Sequence, residues 1–161
     1  MKRFLALSFA FAVAGCVTDN VGTAPVIGTT TNVVFSGGTV TATVASTCSA
    51  RSNGLKNVAS LGANAGMLFV FAETHDSLDV AFYMQDTPIP LSIAFIDSNF
   101  QVVSVDDMAA ETLTQHKSKK PFRYALEVNL GWLAAHSVAA GSTVAFTVPA
   151  GTITDPYPCV Q

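Results

Sequence analysis

Apolar positions along this chain come in short runs separated by polar breaks, a spacing that favours strands over long helices. Met67-Leu68-Phe69-Val70-Phe71 is one continuous run of strand length, which predicts a strand buried on both faces. Leu78, Val80, Phe82 and Met84 alternate with Asp79, Ala81, Tyr83 and Gln85, a period of two that predicts a second strand. Leu91 to Ile96 is apolar and stops at Asp97-Ser98-Asn99, residues suited to a tight turn, with Gln101 to Val105 returning as the hairpin partner. Arg123 to Asn129 alternates again, placing Tyr124, Leu126 and Val128 on one face, and Ser142 to Val148 reads as a last strand. Upstream, Val33–Phe35 and Thr39–Ala45 flank Ser36-Gly37-Gly38, a hairpin turn. Helical pattern is confined to Ala50–Ala59, interrupted by Gly54, and to Gly131–His136. Asp106 to Pro121 is polar and irregular and is expected to be an exposed excursion. The pattern predicts a mainly β chain: a single antiparallel β-sandwich or jelly-roll-like domain, or a closed barrel-like variant, with one or two short helical turns.

The first sixteen residues follow another logic. Lys2 and Arg3 precede an apolar stretch from Phe4 to Val13, and Ala14-Gly15 then precede Cys16. Basic, apolar and small, in that order, is the layout of a secretory signal, too short to span a bilayer. The run Val13-Ala14-Gly15-Cys16 resembles the lipobox of bacterial lipoproteins, which implies that residues 1–15 are removed and that Cys16 is acylated. The expected product is exported and held to a membrane by lipid. Val17 stands where an aspartate would suggest inner-membrane retention, and the resemblance to sorted lipoproteins implies the periplasm or outer membrane over the inner membrane, in a cell that has an outer membrane. Residues 16–32 are rich in Thr, Gly, Asn and Pro and are expected to form a flexible tether, leaving 33–161 as one domain.

Composition narrows the functional classes. Without the leader, six basic residues stand against eleven acidic ones, so nucleic-acid binding has little electrostatic support. With Cys16 assigned to lipid, Cys48 and Cys159 remain as one pair, which an oxidising compartment is expected to join. Such a bridge closes a loop of about 110 residues, worth roughly 4–5 kcal/mol in the loop-entropy account.

Three stretches carry a family resemblance: Gly66–Phe71, Phe82–Asp97 and Arg123–Trp132. They read Gly-Met-Leu-Phe-Val-Phe, then Phe-Tyr-Met-Gln-Asp-Thr-Pro-Ile-Pro-Leu-Ser-Ile-Ala-Phe-Ile-Asp, then Arg-Tyr-Ala-Leu-Glu-Val-Asn-Leu-Gly-Trp. Together with Arg51-Ser52-Asn53-Gly54-Leu55 they make residues 40–148 similar to DUF192, a family of small, often exported prokaryotic domains of unknown function. The resemblance implies a mainly β, jelly-roll-like fold and no defined activity. Tyr83, Gln85 and Asp86 replace the Trp, Lys and Asn usual in that family. Ser92, Ala50 and Lys56 stand where Asp, Glu and Met are common. Phe100 replaces the hairpin Gly, which is expected to shift the turn burden onto Asn99.

The candidate binding residues are Arg51, Tyr83, Gln85, Asp86, Thr87, Arg123 and Glu127. Pro88 and Pro90 lack amide donors, so Gln85–Pro90 is expected to turn at a sheet edge and present Asp86 and Thr87. Tyr83 could stack on a sugar or be an ordinary half-buried ring. Arg123 and Glu127 share a strand face about 13 Å apart; each is expected to pair across strands, Arg123 with Asp86 or Asp97. His75, His116 and His136 lack ligand spacing, so no metal site and no cofactor are expected. No nucleophile elbow or phosphate loop is present. Lys117, Lys119 and Lys120 form a small basic loop, either solvated or in contact with anionic head groups. The functional expectation is a non-catalytic module that binds a small molecule, a glycan or an envelope protein. The alternatives are a carbohydrate hydrolase or lyase using Asp86, Glu127 or Asp97, and a purely structural envelope component.

Overall fold

The computed structural model describes residues 28–76, 78–152 and 154–156. Cys16, Cys159 and the expected leader therefore lie outside the described residues, as does most of the tether. Six strands form one sheet: β1 (Thr30–Phe35), β2 (Gly38–Ala45), β3 (Ala65–His75), β4 (Leu91–Ile96), β5 (Val102–Met108) and β6 (Phe122–Asn129). Two short helices accompany them, α1 (Cys48–Asn53) and α2 (Trp132–Ala135). The spatial order is β1-β2-β3-β6-β4-β5. The expected antiparallel sandwich is corrected here, because β2 and β3 run parallel, with Val44 opposite Leu68. A parallel pair needs a crossover, and residues 46–64, including α1, supply it. The result is a mixed sheet covered by helices and extended segments. No second sheet packs against it among the described residues.

Two stretches that alternate in sequence are not strands. Along Leu78–Gln85, Phe82 alone forms a bridge, exchanging backbone hydrogen bonds with His116 at 2.8 and 2.9 Å. The alternation has a different cause: Val80, Phe82 and Met84 face the sheet while Leu78 and Tyr83 face outward. Residues 142–148 likewise make only isolated bridges, Gln101 with Thr143 and Val34 with Ala145. Those partners belong to the two margins of the sheet, so this segment is a strap running from β5 to β1. Asp106–Pro121 is less exposed than expected. Its first residues complete β5, and His116 and Ser118 are buried.

Each face of the sheet has its own core. On one side Val33, Val40, Leu68, Ile96, Leu126 and Val128 pack against Trp132, Leu133, Val138 and Val144. Trp132 is fixed by its indole N–H, which donates to Asn64 Oδ1 at 3.0 Å, and by stacking on His136. On the other side Phe69, Phe71, Phe82, Phe95 and Phe122 meet edge to face, with centroids 5.1–5.6 Å apart, the geometry that aromatic quadrupoles favour.

The β4–β5 hairpin also departs from expectation. Phe100 itself takes the left-handed conformation, φ 60°, in place of the family's glycine. The Asp97 carboxylate accepts from the Asn99 and Gln101 amides, both at 2.9 Å, and so fixes the turn around it. Phe100 then stacks on Tyr124 and meets Phe146 edge-on.

Candidate functional site

The second core is incompletely filled. Between α1, the residues that follow it, and the extended segment 80–87 lies a cavity of about 190 Å³ over the centre of the sheet. Phe69 and Phe71 of β3 form its floor with Glu127 of β6, and Val80, Phe82 and Met84 form one wall. Arg51, Leu55 and Lys56 close the opposite side, and Tyr83 and Thr87 complete the lining.

Glu127 decides the chemistry of this space. Its strand neighbours are Met67 on β3 and Ile93 on β4, both apolar, so the expected cross-strand ion pair is absent. The residue is 6% exposed, and its carboxyl makes no hydrogen bond or ion pair among the described residues. Burial alone pushes the carboxyl up to about 8, because a low-dielectric site penalises the ionised form. Near neutral pH it is therefore mostly a neutral acid, carrying one donor and free acceptor capacity. Gly66 makes the floor possible at this point: a Cβ there would lie 2.4 Å from the Glu127 carbonyl oxygen. Only glycine lets β3 approach β6 so closely beside the acid.

Arg51 is held by the frame around the cavity. Its guanidinium donates to the Ser46 carbonyl, to Val70 O at 3.2 Å and to Asp155 O at 3.0 Å, and it lies 5.1 Å from the Phe71 ring centroid. Thr47 caps α1 by accepting from the Ala50 amide, which orients Arg51 inward. The Cys48 amide donates to the Asp155 carboxylate at 2.7 Å, tying the start of α1 to the C-terminal segment.

The remaining sequence candidates distribute unevenly. Arg51, Tyr83, Thr87 and Glu127 line the one cavity. Gln85 and Asp86 form the exposed tip of the Met84–Thr87 turn, with Asp86 at φ 57° and its carbonyl accepting from the Asn57 amide at 2.7 Å. Thr87 is buried and its hydroxyl donates to Gln85 O. Arg123 is directed elsewhere: it pairs with neither Asp86 nor Asp97 and donates instead to the carbonyls of Phe71 and Ala72. Those carbonyls lie where the β3–β6 register shifts, between Val70 and His75, so a cation satisfies them.

Lys56 and the aromatic floor were not singled out by sequence. Lys56 sits where the family commonly has methionine, and that exchange was the available signal. Among the described residues no three His, Cys, Asp or Glu side chains converge as metal ligands, and no helix is long and apolar enough to cross a membrane. A second hollow of about 510 Å³ beside β2 has no charged lining residue. Its rim at Gly28 and Thr152 adjoins residues outside those described.

Comparison with known proteins agrees with the sequence resemblance. The family model of DUF192, described as an uncharacterised ACR, matches residues 31–146. The chain belongs to the DUF192 family. A crystal structure of a candidate transcription regulator from Sinorhizobium meliloti 1021 superposes with a TM-score of 0.66 at 26% identity, over 73% of this chain and 92% of that one. A protein of unknown function from Novosphingobium aromaticivorans DSM 12444 superposes with a TM-score of 0.64 at 24% identity, over 72% of this chain and 83% of that one. The latter likeness concerns the fold. No curated protein matches the chain.

Proposed function

We propose that this DUF192 domain is a non-catalytic binding module whose ligand is a small molecule with an apolar body and one polar group. The observation that carries this reading is the buried Glu127 carboxyl, without a hydrogen bond among the described residues, on the aromatic floor of a cavity whose remaining lining is mixed polar and apolar. An unsatisfied buried polar group costs about 1–3 kcal/mol, and a ligand that pairs with it recovers part of that cost. The volume of about 190 Å³ is comparable with the ~150 Å³ cavity that holds a single benzene ring, so the ligand is about one ring in size. An extended glycan fits less well, because a space of about 190 Å³ holds about one ring.

The hydrolase reading calls for two carboxyls flanking one substrate bond. Glu127 is the only carboxyl among the described lining residues, with Asp86 exposed at its turn and Asp97 engaged in the hairpin. The regulator label of the Sinorhizobium neighbour gains little support here, since the chain carries net charge −3 and a phosphate backbone needs a basic surface.

For location we retain the exported lipoprotein reading, supported by the order of Lys2-Arg3, Phe4–Val13 and Ala14-Gly15-Cys16. A membrane is then the partner through lipid, and the Cys48–Cys159 bridge is the matching redox state. The test of the binding reading is ligand-observed NMR on the full chain with single-ring probes, beside an Ala81→Trp variant that fills the cavity from its rim. Saturable binding by the wild type, lost in the folded variant, is expected. Equal signal from both would place the binding elsewhere and end the reading.

A further inference from the structure

The floor of the cavity carries one polar side chain, Glu127, set beside Phe69 and Phe71 and 6% exposed. Within the sheet it has no titratable neighbour, since Met67 of β3 and Ile93 of β4 flank it. The other titratable lining residues are Arg51 and Lys56 of the crossover and Tyr83 of the extended segment. None of them forms a hydrogen bond or ion pair with Glu127 among the described residues. Arg51 donates instead to the Ser46, Val70 and Asp155 carbonyls, and the Thr87 hydroxyl donates to Gln85 O. The unused hydrogen-bonding capacity of the floor therefore belongs to the Glu127 carboxyl.

A carboxyl kept in its acid form presents an O–H donor and a carbonyl acceptor side by side in one plane. Its closest complement is a group with an acceptor and an N–H donor on a single edge. We infer, on the basis of the binding reading above, that the cavity takes a small neutral ring compound bearing a primary carboxamide or a lactam, whose N–H donates to the Glu127 carbonyl oxygen and whose C=O accepts from the Glu127 hydroxyl. The ring then packs on Phe69, Phe71 and Phe82, which line the same space. The raised Glu127 carboxyl fits this assignment, because burial already favours the form that both donates and accepts. An ammonium ligand would need Glu127 to ionise there and would add a second charge to be stripped of water. A carboxylate would lose its hydration in exchange for one donor. An alcohol holds donor and acceptor on one oxygen and can meet the pair only with bent hydrogen bonds.

The test uses the full chain and five single-ring probes, titrated by ligand-observed NMR at pH 7: benzamide, methyl benzoate, benzylamine, benzoate and benzyl alcohol. Benzamide is expected to bind at least tenfold tighter than each of the others, methyl benzoate included, which keeps the acceptor and lacks the N–H. Its affinity should fall severalfold as pH rises from 7 to 9, because the acid form of Glu127 is lost through about 8. Glu127→Gln carries the same donor and acceptor edge without titrating. It is expected to hold benzamide within threefold of wild type and to give a level pH profile. Glu127→Leu has neither group and should bring the preference for benzamide over benzyl alcohol close to one. A competitor that binds as tightly as benzamide, a level profile in the wild type, loss of benzamide in Glu127→Gln or an unaltered preference in Glu127→Leu overturns the carboxamide assignment and leaves the binding module standing. Failure of every probe overturns both.

Discussion

The two faces of the sheet are built from the same strands yet are finished differently. On β6, Tyr124, Leu126 and Val128 point to one side, where α2 and the 142–148 strap complete a hydrophobic core. Ala125 and Glu127 point to the other, where five phenylalanines pack well but leave a cavity over a buried acid. The strap meets β1 at Val34 and the β5 margin at Gln101, so the first face is closed from edge to edge. The second is covered by the crossover, through Leu55, Val58 and Leu61, and by Val80, Phe82 and Met84 of the extended segment. One face is closed over its whole width, and the other holds a cavity.

The largest test of that contrast compares truncations of similar size. Leu126→Ala removes a fully buried side chain from the closed face, and the loss of contacts with a residual hole should cost about 4 kcal/mol. Met84→Ala removes an equally buried side chain beside an existing cavity, where water can occupy the added space. It should cost about 2 kcal/mol. Urea denaturation with a shared m-value measures both. Equal costs would mean that the cavity face is packed as tightly as its counterpart.

The next effect belongs to Glu127. Its folded pKa of about 8 lies above the ordinary 4.5, so between those values the folded protein holds a proton that the unfolded chain has released. Stability therefore falls as pH rises through this window and levels off above about 8. From pH 5 to pH 8 the wild type should lose roughly 3 kcal/mol from this group. Glu127→Gln should flatten that part of the profile, measured as the difference between the two stability curves. A difference that does not change with pH would mean the carboxyl is not buried as an acid.

Much of the fold was legible in the sequence, and the reasons differ between elements. β3, β4 and β6 are central strands, and their apolar runs announced burial because both faces must be covered. Strand direction was not legible: the pattern of β2 and the continuous apolar run of β3 mark burial and say nothing about parallel pairing. Leu78–Gln85 misled for a related reason, since an extended segment lying on a sheet alternates as a strand does without lengthening the ladder. Of the site, Glu127 was picked out as a polar position on its strand, with a cross-strand partner expected. Its lack of a partner depended on Met67 and Ile93 arriving beside it from distant strands. The expected partner of Arg123, Asp86 or Asp97, gives way to the Phe71 and Ala72 carbonyls, because nothing local in the sequence marks the β3 carbonyls that the register shift leaves for it.

The smallest effect tests how the closed face was completed. Phe100 accepts φ 60°, a conformation that costs a non-glycine residue about 1 kcal/mol, and gains contacts with Tyr124 and Phe146 at 5.8 and 5.0 Å between centroids. Each such aromatic pair is worth about 0.5–1.5 kcal/mol; at the low end of that range, suited to a ring as exposed as Phe100, the two pairs together nearly cancel the strain. Phe100→Gly removes both terms and should fall within about 0.5 kcal/mol of the wild type. Phe100→Ala loses the ring contacts and keeps the strain, so it should be about 1 kcal/mol less stable than the glycine variant. The gap between the two variants isolates the backbone term by thermal melts at matched pH. A gap near zero would mean that the hairpin relaxes without its ring. The strained turn would then exist only because Phe100 caps the closed face, and the contrast between the faces would rest on the ring contacts alone.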